Sequence, residues 1–245
     1  HVDPAVFARG VAGSSAAQAN AVPVAEYTVA VIVLAAKRAL TRARWYAQDR
    51  VAGDWHSGAG TGLYGRTIGV VGASRTGRLV LDRLRAFDVR LLLTDPYVTP
   101  EQADALGAEL VSPDDLCRRS DVVTVHAPAL PETRHLLDAR RLALLPDGAT
   151  VVNTARGSLV DTAALTDHCA TGRLDAVLDV TEPEPLPPDH PLLHLPNVLV
   201  TPHLAGSQGR ELRRLGEFAV AEVTRFVRGE PLHGAVLAAD LPRIA

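Results

Sequence analysis

The sequence predicts an α/β protein built on a doubly wound parallel sheet, and three observations carry that reading. After Gly65, short Val/Ile/Leu runs alternate with amphipathic segments, the pattern of repeated βαβ units. A glycine-containing stretch, Gly72-Ala-Ser74-Arg75-Thr76-Gly77, stands between the first of those runs and the amphipathic segment that follows it. The chain of 245 residues, 47% hydrophobic and 22% charged, is long enough for one to two domains with a real core.

The elements follow in order. From Asn20 to about Arg44 the pattern is that of one long helix, with Pro23 tolerated in its first turn and an apolar stretch running to Ala36. Trp45, Trp55, Gly53, Gly58, Gly60, Gly62 and Gly65 mark a helical tail and an irregular loop that wraps another surface, such as a second subunit. Six strands are predicted, at Thr67–Val71, Val89–Thr94, Asp121–Val125, Thr150–Asn153, Ala176–Asp179 and Val198–Thr201. Ser112 with Pro113 and Asp115 forms a capping-box helix start, and Asp161 caps a helix over 162–171. The five prolines between Glu182 and Pro191 predict a rigid extended loop. The last helix spans about Gly209 to Val227 and is stopped by Gly229 and Pro231.

Composition narrows the function classes. A formal charge of -3, from 25 basic and 28 acidic residues, gives no general attraction to nucleic acid or to an anionic membrane, so the expected partner is a small molecule. The longest apolar run, Val29 to Ala36, is short for a membrane span, and no secretory signal pattern opens the chain, which predicts a cytoplasmic protein. Cys117 and Cys169 lie in no ligand spacing, so they are expected to be reduced thiols, with no metal site. The sequence contains no methionine, even at position 1, so the natural chain is expected to start upstream of His1.

The chemistry-bearing residues cluster at predicted strand ends. Gly72 and Gly77 suit the tight turn and the close helix packing of a dinucleotide-binding fingerprint, whose helix N-terminus favours a diphosphate, while Ser74 occupies the middle glycine position. Asp95, 18 residues beyond Gly77, ends the second strand where a carboxylate accepts both ribose hydroxyls of NAD and repels a 2'-phosphate; an Asp-Pro turn is the plainer reading. Arg156 follows the fourth strand and suits a substrate carboxylate. His203 follows the sixth and suits proton transfer, and Glu184 suits orienting that imidazole and stabilising its charged form. Each also has a plain reading, as a surface arginine, a capping histidine and a solvated acidic loop.

The order Gly72 to Gly77, Asp95, His126-Ala-Pro128, Arg156-Gly157, Asp179 to Pro185 and Thr201 to Gly206 resembles the NAD-dependent D-2-hydroxyacid dehydrogenases. The resemblance covers nearly the whole chain. It implies a Rossmann domain over 20–205, with a dimer arm at about 45–64 and therefore a homodimer. It also implies remnants of a smaller substrate domain at 1–19 and 206–245, most of whose first half has no counterpart here. It implies Arg156 as substrate anchor, His203 as acid/base and Glu184 as its partner. Glu182 competes for that last role, but the family spacing from Asp179 fits Glu184. Cofactor contacts are implied for Ser74, Arg75 and Thr76 at the diphosphate turn, for Ala127, Thr154 and Ala155, and for Asp179 near the nicotinamide carboxamide. Gly206 follows His203 in the same wall. Ser74 in place of glycine, and Thr181 where the family often has an aromatic residue, depart from the pattern. The expected reaction is hydride transfer between NAD(H) and a small D-2-hydroxy or 2-oxo acid. A binding module of the same fold that senses NAD(H) without turnover is the alternative, and a formate-oxidising relative is disfavoured by the glutamate at 184.

Overall fold

A computed structural model describes residues 5–48 and 62–239. In chain order the elements are α1 (Ala5–Ala8), β1 (Gly13–Ser14), α2 (Ala17–Ala36), α3 (Ala39–Gln48), β2 (Thr67–Val71), α4 (Arg75–Leu84), β3 (Arg90–Thr94), α5 (Pro100–Ala105) and β4 (Glu109–Leu110). There follow α6 (Pro113–Arg119), β5 (Val122–Val125), α7 (Ala139–Leu144), β6 (Thr150–Asn153), α8 (Thr162–Ala170), β7 (Asp175–Leu178), β8 (Val198–Val200), α9 (Leu212–Val227) and β9 (Ala235–Val236).

β2 to β8 form one sheet in the order β4-β3-β2-β5-β6-β7-β8, with every neighbouring pair parallel. The chain winds outward one way from β2 to β4, then returns to β5 on the other side, so the carboxyl ends of β2 and β5 flank the switch point where such sheets bind ligands. Alternation along the strands feeds two cores. Val123, Val125, Val151, Ala176 and Leu178 pack with α6, α7 and α8, whereas Ile68, Val70, Val122, Val152 and Val177 pack with α2, α4 and α5. Burial on both faces is why the strands read as near-continuous apolar runs.

Four expectations need correction. The sheet has seven strands, the addition being β4, whose two residues are too few to leave a pattern. The first long helix is two helices: after α2 ends, Arg38 adopts φ 49 and α3 begins at Ala39. Pro23 lies inside α2, past its first turn, where its missing N–H removes the bond to the Ala19 carbonyl. Ser112 does cap α6, accepting from the Asp115 N–H at 3.2 Å, but the Asp115 carboxylate takes the Ser112 hydroxyl in place of its backbone N–H, so the reciprocal box is absent. The Asp161 cap forms as expected, and Gly209–Glu211 is a 3-10 turn leading into α9.

α2 is also, among the described residues, a helix long and apolar enough to cross a membrane by length and composition alone, with mean hydropathy 1.6. A run count misses it because single polar residues interrupt the apolar stretch. Here its buried face, including Ala25 and Ile32, packs on α4 and the sheet. Most of the expected dimer arm falls outside the described residues.

β1 pairs antiparallel with β9, tying the two ends of the described chain together. The buried Glu222 of α9 clasps this ribbon, accepting from the Ser14 hydroxyl at 2.6 Å and from the N–H groups of His233 and Gly234 at 3.1 and 2.9 Å.

Candidate active site

The turn between β2 and α4 is shaped by what glycine lacks. Gly72 adopts φ 95, and a Cβ there would stand 2.7 Å from the Ala127 nitrogen. A Cβ on Gly77 would overlap the Gly72 carbonyl oxygen. The start of α4 therefore lies directly against the end of β2, as the fingerprint requires. Ser74 fills the middle glycine position in extended conformation (φ -61, ψ 176), and its Oγ accepts the Gly77 N–H at 3.2 Å. The departure from glycine thus supplies a helix N-cap. Arg75 is exposed and Thr76 half-buried in the first turn beside it.

Asp95 stands one residue past β3, half-buried, and joins that strand end to the turn. Its Oδ2 accepts the Ala73 N–H at 2.7 Å and its Oδ1 the Tyr97 N–H at 2.8 Å. Each oxygen keeps a further lone pair for an incoming hydroxyl.

The loops after β6, β7 and β8 are built differently, from side chains that hold backbone. Buried Asn153 donates from Nδ2 to the Arg156 carbonyl at 2.8 Å and accepts the Ala155 N–H at 3.0 Å, which presents Arg156 outward. The exposed Arg156 side chain donates to the Ala155 carbonyl at 2.7 Å, and no described carboxylate pairs with it. A Cβ on Gly157 would overlap the Thr181 carbonyl oxygen, so this loop abuts the proline-rich one. Thr154 is buried, and its hydroxyl meets Thr28 of α2 at 2.8 Å.

His203 adopts the left-handed φ of 53, and its Nδ1 lies 2.7 Å from Glu184 Oε1. Glu182 is occupied elsewhere, pairing with Arg134 at 2.8 Å, and that arginine holds its carboxyl below the ordinary value. Asp179 is fully buried. Its Oδ1 accepts the Thr201 hydroxyl at 2.6 Å and the Leu204 N–H at 2.9 Å, and its Oδ2 accepts the Ala205 N–H at 2.9 Å. Gly206 lies against the Asn20 side chain, which accepts the Ser207 N–H at 2.9 Å.

These arrangements stand beside known proteins as follows. The sequence profile for "D-isomer specific 2-hydroxyacid dehydrogenase, NAD binding domain" matches residues 30–205. The chain belongs to this dehydrogenase family. It is 41% identical over 235 residues to D-3-phosphoglycerate dehydrogenase of Mycobacterium tuberculosis, covering 95% of this chain and 44% of the relative. It is 37% identical over 212 residues to glyoxylate reductase of Aeropyrum pernix, covering 84% of this chain and 63% of the relative. The crystal structure of apo D-mandelate dehydrogenase from Rhodotorula graminis superposes with TM-score 0.84 at 28% identity, covering 95% of this chain and 70% of that one. The chain spans less than half the length of the phosphoglycerate dehydrogenases it matches.

The cofactor of this dehydrogenase domain is NAD. The residues present fit it: a turn closed against Cβ atoms leaves backbone to face a diphosphate, and Asp95 offers acceptors to a ribose. Sequence reasoning missed the supporting groups Asn20, Tyr27, Thr28 and Asn153. Asn153 ends the fourth predicted strand, and its place two residues before a sharp loop is the pattern of a side chain that mimics a turn. His126, beneath the glycine turn, is fully buried with its Nε2 2.9 Å from the Thr124 hydroxyl, and burial pushes its pKa down to about 3, so it stays neutral.

Proposed function

We propose that this chain is the NAD-binding and proton-transferring part of a dehydrogenase acting between a small D-2-hydroxy acid and its 2-oxo acid. The observation that carries the reading is the His203–Glu184 contact of 2.7 Å, set in a loop that opens at the carboxyl end of the sheet together with the Arg156 loop. Segments 1–19 and 206–245 belong in this reading to a second domain. The ribbon that joins β1 to β9, and the exposed apolar residues Val220, Val223 and Phe226 on α9, support that division. The assembled enzyme is read as a cytoplasmic homodimer working on small acids, without nucleic-acid or membrane partners.

Bound NAD(H) supplies or accepts the hydride. Arg156 holds the acid carboxylate through two parallel N–H···O bonds, which fixes the neighbouring carbon and its oxygen. His203 turns Nδ1 to Glu184, leaving Nε2 as the atom that gives a proton to the substrate oxygen in reduction and takes it in oxidation. Glu184 accepts from Nδ1 and stabilises the imidazolium without itself moving a proton. Asp95 holds the ribose and disfavours a 2'-phosphate, so NAD is used in preference to NADP.

The test uses the full-length protein with NADH and a panel of glyoxylate, pyruvate, hydroxypyruvate and phosphohydroxypyruvate. The His203→Ala variant is expected to lose about 10² to 10⁴ in kcat while binding NADH normally. Wild-type turnover in that variant would remove His203 from the reaction. NADH binding without turnover of any acid by the native protein would favour the sensor reading.

A further inference from the structure

We propose that Tyr27, reaching from α2, is a positioning residue for His203. The inference rests on the reading of His203 as the acid/base. The Tyr27 hydroxyl lies 2.9 Å from Thr201 Oγ1. Thr201 has one hydroxyl proton, which it gives to Asp179 Oδ1 at 2.6 Å, so the proton between Tyr27 and Thr201 comes from the tyrosine. The relay is therefore directional, Tyr27 to Thr201 to Asp179.

Asp179 then holds the residues that immediately follow His203, through the N–H groups of Leu204 and Ala205, and its own carbonyl accepts the His203 N–H at 2.9 Å. His203 needs that hold, because φ 53 is a conformation a histidine backbone does not favour and keeps only where its surroundings impose it. Asp179 Oδ1 receives two donors, and the direction of the Thr201 hydroxyl decides how that oxygen is shared. The tyrosine sets this direction from a helix anchored in the core. Burial raises the Tyr27 pKa and the Asp179 charge adds to the rise, so the phenol keeps the proton it donates. Asn20 lies seven residues earlier on the same face of α2 and takes the Ser207 N–H, so α2 grips both ends of the 201–207 loop.

The experiment removes the hydroxyl and keeps the ring. In the full-length protein, Tyr27→Phe is expected to lower kcat about fivefold, the worth of one ordinary hydrogen bond, with KM for NADH and the melting temperature nearly unchanged. Amide exchange at Leu204 and Ala205 should quicken by a similar factor, a local change that a general loss of packing does not produce. Thr201→Val should act in the same direction, and the double variant should be no worse than the more damaged single one, because both cut the same relay. Wild-type kcat with wild-type exchange at both amides in Tyr27→Phe would overturn the proposal, as would losses that multiply in the double variant. If the native protein turns over no 2-oxo acid, the reading of His203 fails separately. Exchange at Leu204 and Ala205 then decides the relay alone, quickened exchange supporting it and unchanged exchange overturning it.

Discussion

The two halves of the candidate site are made from different materials. At the end of β2, backbone is pressed on backbone: Gly72 leaves no room for a Cβ before Ala127, and Gly77 none before Gly72. Beyond β6 to β8, backbone is held by side-chain acceptors, Asn153 over Ala155 and Asp179 over Leu204 and Ala205. In the proposed function the first half binds a diphosphate whose shape never varies, and its geometry needs only the removal of side chains. In the proposed reaction the second aims Arg156 and His203 at reacting atoms, and aiming needs polar groups that can pull loops into place.

The comparison predicts separable failures, the largest in the first half. Gly77→Ala drives a methyl into the Gly72 carbonyl, so α4 must shift off the strand end. NADH affinity should fall by about a hundredfold or more, with a stability loss of roughly 1–3 kcal/mol from overpacking. Fluorescence titration and thermal melting measure both, and near-native affinity would mean that the turn is less closed than its geometry states. Asp179→Asn, in the second half, should lower kcat by about a hundredfold through misplacement of His203, with a much smaller loss of NADH affinity from its place near the nicotinamide. Equal losses in kcat and NADH affinity would show that the halves are one unit. Asn153→Ala should be milder, raising KM for the acid about tenfold as the Arg156 loop loosens, with NADH affinity retained.

The same contrast explains what was legible in the sequence. A glycine demanded by close approach is visible as a letter, and Asp95 is visible by its distance from it, so the closed turn after β2 and the carboxylate tied to it could be read at residue level. Strands buried on both faces, such as Thr67–Val71 and Thr150–Asn153, announce themselves by their apolar runs. The break between α2 and α3 could not be read, because Arg38 takes the left-handed conformation where glycine or asparagine would have been the signal. Nor could Tyr27, which meets Thr201 from 174 residues away, where no local pattern joins the two. Glu184 and Glu182 look alike as letters. The family spacing from Asp179 favours Glu184, and the fold agrees, giving Glu182 to Arg134 and leaving Glu184 to His203.

The smallest predicted effect asks whether a carboxylate brace matters when no reaction is near it. Glu222 is such a brace: it accepts from Ser14, His233 and Gly234 and pairs with Arg225 at 3.4 Å. The Ser14 hydroxyl, with the two backbone donors, brings its pKa down from 4.5 to about 2. A carboxyl with a depressed folded-state pKa stabilises the fold fully above its unfolded value. That contribution fades as the pH falls from about 4.5 towards 2, because the unfolded chain takes up the proton first. The protection factor of the Gly234 amide, its exchange rate taken relative to the unfolded chain at the same pH, should therefore fall across this interval in the native protein. Glu222→Gln should lose that pH dependence and exchange faster at neutral pH, with kcat at pH 7 unaltered because Glu222 touches nothing in the site. An identical acid profile in the two proteins would show that the ribbon is held by its strand pairing alone. A fall in kcat would instead mean that the ribbon and the His203 loop move together, and that the bracing in the second half extends to the chain ends.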